Sequence, residues 1–404
     1  MIQSSIAAVC SLLGSARRPH ALRRVSTRLS SHILCFLCWI AIATFVLNNV
    51  PAASSARTFA PPSECSAPFA PLLAFADSTT DTGNQIHTNT PFATAASPPY
   101  GMTFFHEPTG RYSDGRVMLD FLCTALRVDF LPPHLTLTRS SQCANENFAV
   151  AGATANSNAE LQSIANVTSL TEDTLGVQLS WFKNDLQGHD LSKALNYALG
   201  AMRPANEVQA LLPAVVEKIH NALQTILESG VKKVVVQGQF PMGCIAIYLR
   251  LFNNTQLDSN GCISSVMEIS NQHNRMLRDV IGHVQKTHPD VDIIFFDTTE
   301  AYLHILTNPS IYNFNNVHDP CYTGGLELLA LANAGNTGGS PSAAAAALPP
   351  HNINMTSCTN PENYIGWDGI HLTDAMYGAM MKLFLTDARF TSPFPNFLTP
   401  CTNH

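Results

Sequence analysis

The chain has 404 residues, of which 46% are hydrophobic and only 13% charged. That composition argues for a large buried core and against disorder. The net charge of −7, with no basic cluster beyond the N-terminal region, speaks against nucleic acid as a partner.

The N-terminus reads as an address. Residues 1–63 contain no Asp or Glu, while Arg17, Arg18, Arg23, Arg24 and Arg28 crowd together. An apolar run from Ile33 to Leu47 follows, shorter than the ~20 residues of a membrane span. Ala52, Ala53, Ser54, Ser55 and Ala56 close it. This order describes a secretory signal peptide over residues 1–56, with an uncleaved signal anchor as the alternative. The apolar run disfavours a plastid transit peptide.

Cysteine usage agrees with export. Of 11 Cys, Cys10, Cys35 and Cys38 fall in the address segment. Cys65, Cys123, Cys143, Cys244, Cys262, Cys321, Cys358 and Cys401 remain, an even number that fits disulfides in an oxidising compartment. Cys123, in an apolar helix-like stretch, also reads as a buried small apolar residue. Sequons at Asn166, Asn253 and Asn354 point the same way.

After a Pro-rich lead-in over 57–69, one domain is expected over 70–392, followed by a tail over 393–404. Pro71 to Ala76 is a short apolar run that predicts a buried strand ending in a loop at Asp77-Ser78. Met118 to Leu126 has helical spacing. Asn147 to Ala153 predicts a second short strand. Glu207 to Glu228 predicts an amphipathic helix with Leu211, Val215, Ile219, Leu223 and Ile226 on one face. Val231 to Val236 predicts a strand, Gln272 to Thr287 a helix and Val291 to Phe296 another strand. Residues 334–350, with an Ala run, read as a low-complexity surface insertion. Alternating strands and helices predict an α/β fold with a mostly parallel sheet covered on both faces.

Ser78 stands just past a predicted strand end, where open α/β sheets place their sites. Such a Ser is a turn residue unless a base reaches it. Trp367-Asp368-Gly369-Ile370-His371-Leu372-Thr373 offers one. Asp368 and His371, three residues apart, can share one turn, so that the carboxylate orients the imidazole while its far nitrogen faces Ser78.

Together these stretches resemble the plant-type GDSL esterase/lipase family of the SGNH hydrolases. The resemblance rests on FADSTTDTGN at Phe75–Asn84, PTGRYSDGR at Pro108–Arg116, NFAVAGA at Asn147–Ala153, GQFPMGC at Gly238–Cys244 and WDGIHLT at Trp367–Thr373. It runs from about Ala70 to Phe390. It implies a three-layer α/β/α sandwich with a flavodoxin-like sheet, and a secreted serine hydrolase of carboxylic esters of lipids, glycosides or phenolics. Ser78 would be the nucleophile, His371 the base and Asp368 its partner. The backbone N–H groups of Ser78 and Gly152 would form the oxyanion hole. No cofactor, metal or nucleic acid is implied, and membrane contact only through an uncleaved anchor. A Cys244–Cys262 loop resembles one of the family's disulfides, and Cys321–Cys358 is a second expected pair.

Two departures stand out. The family's third block, a strand ending in Gly-x-Asn-Asp that gives an Asn to the oxyanion hole, has no counterpart. Trp181-Phe182-Lys183 leads through Leu191-Ser192-Lys193-Ala194-Leu195 straight to Asn196-Tyr197-Ala198. Asn184 and Asn196 are poor substitutes, and Leu195 to Ala201 is a candidate replacement strand. Loss of the block predicts reduced activity, or a relative that only binds ligand; a truncated gene model also explains the gap. The second departure is Ala76 in place of Gly.

Overall fold

The computed structural model describes residues 6–11, 71–88, 93–138, 145–165, 169, 171–186, 208–252, 255–324 and 356–393. Its main sheet contains β1 (Ile6–Ser11), β2 (Leu72–Phe75), β3 (Glu146–Asn147), β4 (Val231–Gln237), β5 (Asp292–Phe296) and β8 (Thr391–Ser392), in the order β3-β2-β1-β4-β5-β8. β2 pairs with β3, and β4 with β5, in parallel. β1 is antiparallel to both β2 and β4, so those two strands share one direction. Three of the four predicted strands lie in this sheet, with β1 between β2 and β4; of the strand expected over Asn147 to Ala153 only Asn147 pairs, in the two-residue β3, and residues 148–153 form the loop beyond it. β2 is buried at every position, and Val234, Val235, Val236, Ile293, Ile294 and Phe295 are buried too. Such continuous apolar runs are what a sheet covered on both faces requires.

Two groups of helices cover it. α3 (Leu175–Leu186), α4 (Leu212–Glu228) and α6 (Ser264–Thr287) pack together in one; α1 (Met118–Leu126), α7 (Thr298–Thr307) and α8 (Asp374–Thr386) form the other. Among the described residues the remaining α-helices are α2 (Asn158–Ala165) and the short α5 (Ala246–Leu251). The result is an α/β/α arrangement. Val215, Ile219, Leu223 and Ile226 of α4 are buried, as their spacing predicts. α6 starts at Ser264, well before the expected Gln272. Its buried face includes Ser270, His273 and Asn274, and these polar residues break the apolar stripe that the sequence would otherwise display.

The slot left by the missing third block is filled from an unexpected place. Residues 195–201 lie outside the described residues, and β1 occupies the slot instead. Ile6 pairs with Phe75 on one side and Val236 on the other. This strand belongs to the segment read as an export address. Cleavage after residue 56 would remove it, and an anchor threaded through a membrane would hold it on the opposite side from the domain. The 334–350 insertion, the three sequon asparagines, and Cys65, Cys143 and Cys401 lie outside the described residues. Cys244–Cys262 and Cys321–Cys358 form disulfides, and Cys123 is buried and free. A small parallel pair, β6 (Asn316–Pro320) and β7 (Tyr364–Gly366), leads into the Trp367–Thr373 turn.

Candidate active site

Ser78 leaves the sheet on a tightly held loop. The Gln178 side chain of α3 clasps the strand end: Ala76 N–H donates to its Oε1 at 3.0 Å, and its Nε2 donates to the Ala76 carbonyl at 2.8 Å. Ala76 is fully buried and has no positive φ, so its methyl sits where glycine's freedom is not needed. Asp77 Oδ1 accepts from the N–H and hydroxyl of Thr79. Asp81 accepts from the N–H groups of Gly83, Asn84 and Gln85, and across the loop from Ala151 N–H at 2.7 Å. Asn84 Nδ2 donates to the carbonyls of Asn147 and Ala149, and Asn147 Nδ2 to Thr80 O and Thr82 Oγ1. The loops after β2 and β3 are thus joined by buried side-chain bonds.

His371 arrives on a turn closed by Trp367 N–H donating to its carbonyl at 2.7 Å, with Gly369 at φ +92°. A non-glycine residue there would be strained. Asp368 Oδ1 accepts from the N–H groups of Ile370 and His371, while Oδ2 lies 2.6 Å from His371 Nδ1. Thr373 then caps α8 by accepting from Met376 N–H. Burial alone would raise the Asp368 carboxyl, but the imidazole and its hydrogen bonds outweigh that and hold it below the ordinary range.

His371 Nε2 lies 2.7 Å from Ser78 Oγ. With the proton on Nδ1, facing Asp368, Nε2 accepts the Ser78 hydroxyl. All three residues are buried. The structure thus brings together the three residues singled out from sequence. It adds two that sequence did not mark. Tyr100 Oη is 2.8 Å from Asp368 Oδ2, and the Tyr112 ring lies 4.7 Å from the His371 ring.

The PTGRYSDGR block braces this site. Arg111 forms a buried two-point ion pair with Asp120 of α1 at 2.8 Å on each arm. Asp114 accepts from Asp374 N–H, the first residue of α8, and Arg116 pairs with the Asp374 carboxylate. The block therefore ties α1 to the helix that follows His371. From the other side, Ile247 of α5, just beyond the GQFPMGC block, donates its N–H to the carbonyl of Gly369.

Gly152 has φ +82°, and neither its N–H nor that of Ser78 meets an acceptor among the described residues. These are the two backbone groups expected to face an oxyanion. Asn184 falls inside α3 rather than at a strand end, and Asn196 lies outside the described residues. A small apolar pocket of about 10 Å³ is lined by Thr79, Phe240, Met242, Tyr248, Ile370 and Leu372. Among the described residues no group of three His, Cys, Asp or Glu could hold a metal ion, and no helix is long and apolar enough to cross a membrane.

The sequence profile for GDSL-like lipase/acylhydrolase matches residues 72–384. The chain is also similar to proteins of Arabidopsis thaliana. GDSL esterase/lipase At1g31550 is 30% identical over 389 residues, covering 87% of this chain and 90% of the relative. GDSL esterase/lipase At3g48460 is 32% identical over 352 residues, covering 81% and 88%.

Proposed function

The chain belongs to the GDSL-like lipase/acylhydrolase family and is an ester hydrolase; we propose that it works through Ser78, His371 and Asp368 on carboxylic esters of lipids, glycosides or phenolics. The observation that carries this reading is the unbroken chain of contacts from Ser78 Oγ through His371 to Asp368, at 2.7 and 2.6 Å. His371 takes the Ser78 proton as Oγ attacks the ester carbonyl. The N–H groups of Ser78 and Gly152 receive the developing oxyanion. Collapse expels the alcohol, which takes the proton back from His371, and water then releases the acid by the same path in reverse.

Turnover is weak in this reading, because the third oxyanion donor is missing and one such donor contributes about 10²–10³ in kcat. Export also belongs to the proposal. The Arg-then-apolar N-terminus and two disulfides support passage through the secretory pathway; for β1 to complete the sheet of the exported enzyme, residues 1–56 have to be translocated with the domain and retained.

The deciding experiment uses a fluorophosphonate probe, which reacts with an activated Ser even when turnover is slow. Labelling of the wild-type protein at Ser78, lost in Ser78→Ala, is expected. An unlabelled wild-type protein that is otherwise folded would leave a ligand-binding relative as the better description.

A further inference from the structure

We propose that Tyr100 is a positioning residue for the base: its hydroxyl donates to Asp368 Oδ2, the oxygen that also holds the imidazole, and thereby sets how strongly His371 draws the Ser78 proton. The inference rests on the Ser78–His371–Asp368 reading and deepens it.

The geometry is specific. Asp368 Oδ1 is occupied by two backbone N–H groups, and Oδ2 is shared by His371 Nδ1 at 2.6 Å and Tyr100 Oη at 2.8 Å. Asp368 is 0% exposed and Tyr100 2%, so water does not compete for that oxygen. The Tyr100 ring is held edge-on by Tyr112, Tyr322 and Trp367, with centroids 5.7 to 5.9 Å away. Its backbone is equally fixed. Gly101 has φ +75° and donates to Ser113 O, and a Cβ there would come within 1.9 Å of the Glu107 carbonyl. The Thr94 side chain is the other polar group beside the hydroxyl, and Asp368 is the charged one. Burial, then the Asp368 charge, push this phenol well above its ordinary range, so it remains a donor throughout the working pH.

A carboxylate oxygen shared between two donors gives less of its charge to each. Removing the phenol concentrates that charge on Nδ1–H, favours the imidazolium and makes Ser78 harder to activate at a given pH. The other ionisable groups facing this cluster are Tyr112 on the imidazole, Asp77 and Asp81 in the Ser78 loop, Tyr377 of α8 and Asp114 behind it. None of them hydrogen-bonds Asp368 Oδ2 among the described residues.

The test follows the rate of fluorophosphonate labelling of Ser78 against pH in the wild type, Tyr100→Phe and Tyr322→Phe. In Tyr100→Phe the acid limb is expected to move to higher pH by about half to one unit. The alkaline plateau should fall by about tenfold or less, as suits the loss of one hydrogen bond to a charged group. Tyr322→Phe trims the same aromatic cluster without touching Asp368 and should leave the limb in place. If Tyr100→Phe does not fold, 3-fluorotyrosine at position 100 decides the matter. Its more acidic hydroxyl donates more strongly and should move the limb to lower pH. A folded Tyr100→Phe with an unmoved limb, or a fluorotyrosine limb that is unmoved or displaced upward, overturns the inference alone. A wild-type protein unlabelled at every pH overturns the triad reading, and this inference with it.

Discussion

Ser78 and His371 are 293 positions apart in the chain and 2.7 Å apart in the fold. They meet because β2 and the Gly366–Leu372 turn are held by separate buried networks, one through Gln178 and Asp81, the other through Trp367 and Thr373. The contact is therefore set by the scaffold. Ser78→Ala should abolish hydrolysis of p-nitrophenyl acetate while changing unfolding free energy by about 1 kcal/mol or less, since a single hydroxyl bond is lost. Parallel activity and denaturation measurements check this. Residual Ser-independent hydrolysis at the wild-type rate would rule Ser78 out as nucleophile.

Gln178 provides a sharper stability test. Its buried amide satisfies both the N–H and the C=O of Ala76. In Gln178→Ala the Ala76 N–H loses its partner, at about 1–3 kcal/mol, while the Ala76 carbonyl keeps the Val150 N–H at 3.2 Å. We expect a destabilisation of about 1–3 kcal/mol in urea, with activity falling further than stability explains as the Ser78 loop loosens. A neutral Gln178→Ala would show that water replaces the amide at no cost.

Two buried carboxyls predict an unusual pH dependence. Burial raises Asp81 and Asp114 from 3.8 to about 6. Between those values the folded state keeps protons that the unfolded chain has released. The stabilising contribution is thus fully present below about pH 4 and is lost as pH rises through about 6, by about 3 kcal/mol per group. The side-chain amide introduced by Asp114→Asn mimics the protonated acid. Its oxygen can still accept from Asp374 N–H, and its nitrogen can donate to Thr103 Oγ1. Relative to the wild type, the variant should therefore gain stability as pH rises from 4 to 6. Unfolding curves for the two proteins that stay parallel across that window would refute the assignment.

Most of the site was legible from residue order, because each member sits in a dense local block with a turn of its own. Ser78 follows an apolar run, and Asp368 and His371 share one turn. What escaped has no local pattern. Tyr100 and Asp368 are 268 positions apart, and Gln178 and Ala76 are 102 apart, so nothing near any of them in the chain announces the bond. The start of α6 was hidden by polar residues on its buried face. β1 was hidden for another reason. Its segment precedes the arginine cluster and apolar run, and the charge asymmetry of that whole region outweighs the weak strand pattern of six residues.

That strand makes its own prediction. β1 hydrogen-bonds on both edges, to β2 and to β4. A chain beginning at residue 57 leaves both neighbours with unpaired backbone groups inside the sheet. Several such groups at about 1–3 kcal/mol each exceed a typical net stability of about 5–15 kcal/mol. The shortened chain should therefore show no cooperative thermal transition, whereas the full chain should. The N-terminal mass of the exported protein then distinguishes the alternatives: a mature chain lacking residues 1–56 that still unfolds cooperatively would show that β1 is not needed to complete the sheet.

The same slot governs catalysis. In the family pattern, the strand between β2 and β4 ends in Gly-x-Asn-Asp and aims an Asn at the oxyanion; β1 runs the opposite way, so its carboxyl end points away from Ser78. Inserting a strand that ends in Gly-x-Asn-Asp between Leu195 and Asn196 should displace β1 and supply the third donor. The gain is expected in kcat, by about 10²-fold on p-nitrophenyl acetate, with KM nearly unchanged, because the Asn bonds to charge that develops only in the transition state. The inserted chain should also tolerate removal of residues 1–56, since its sheet no longer needs β1. A restored variant that folds without residues 1–56 yet turns over no faster would separate the two roles of the slot. It would show that the strand completes the fold while two backbone donors, Ser78 and Gly152, already suffice for the chemistry.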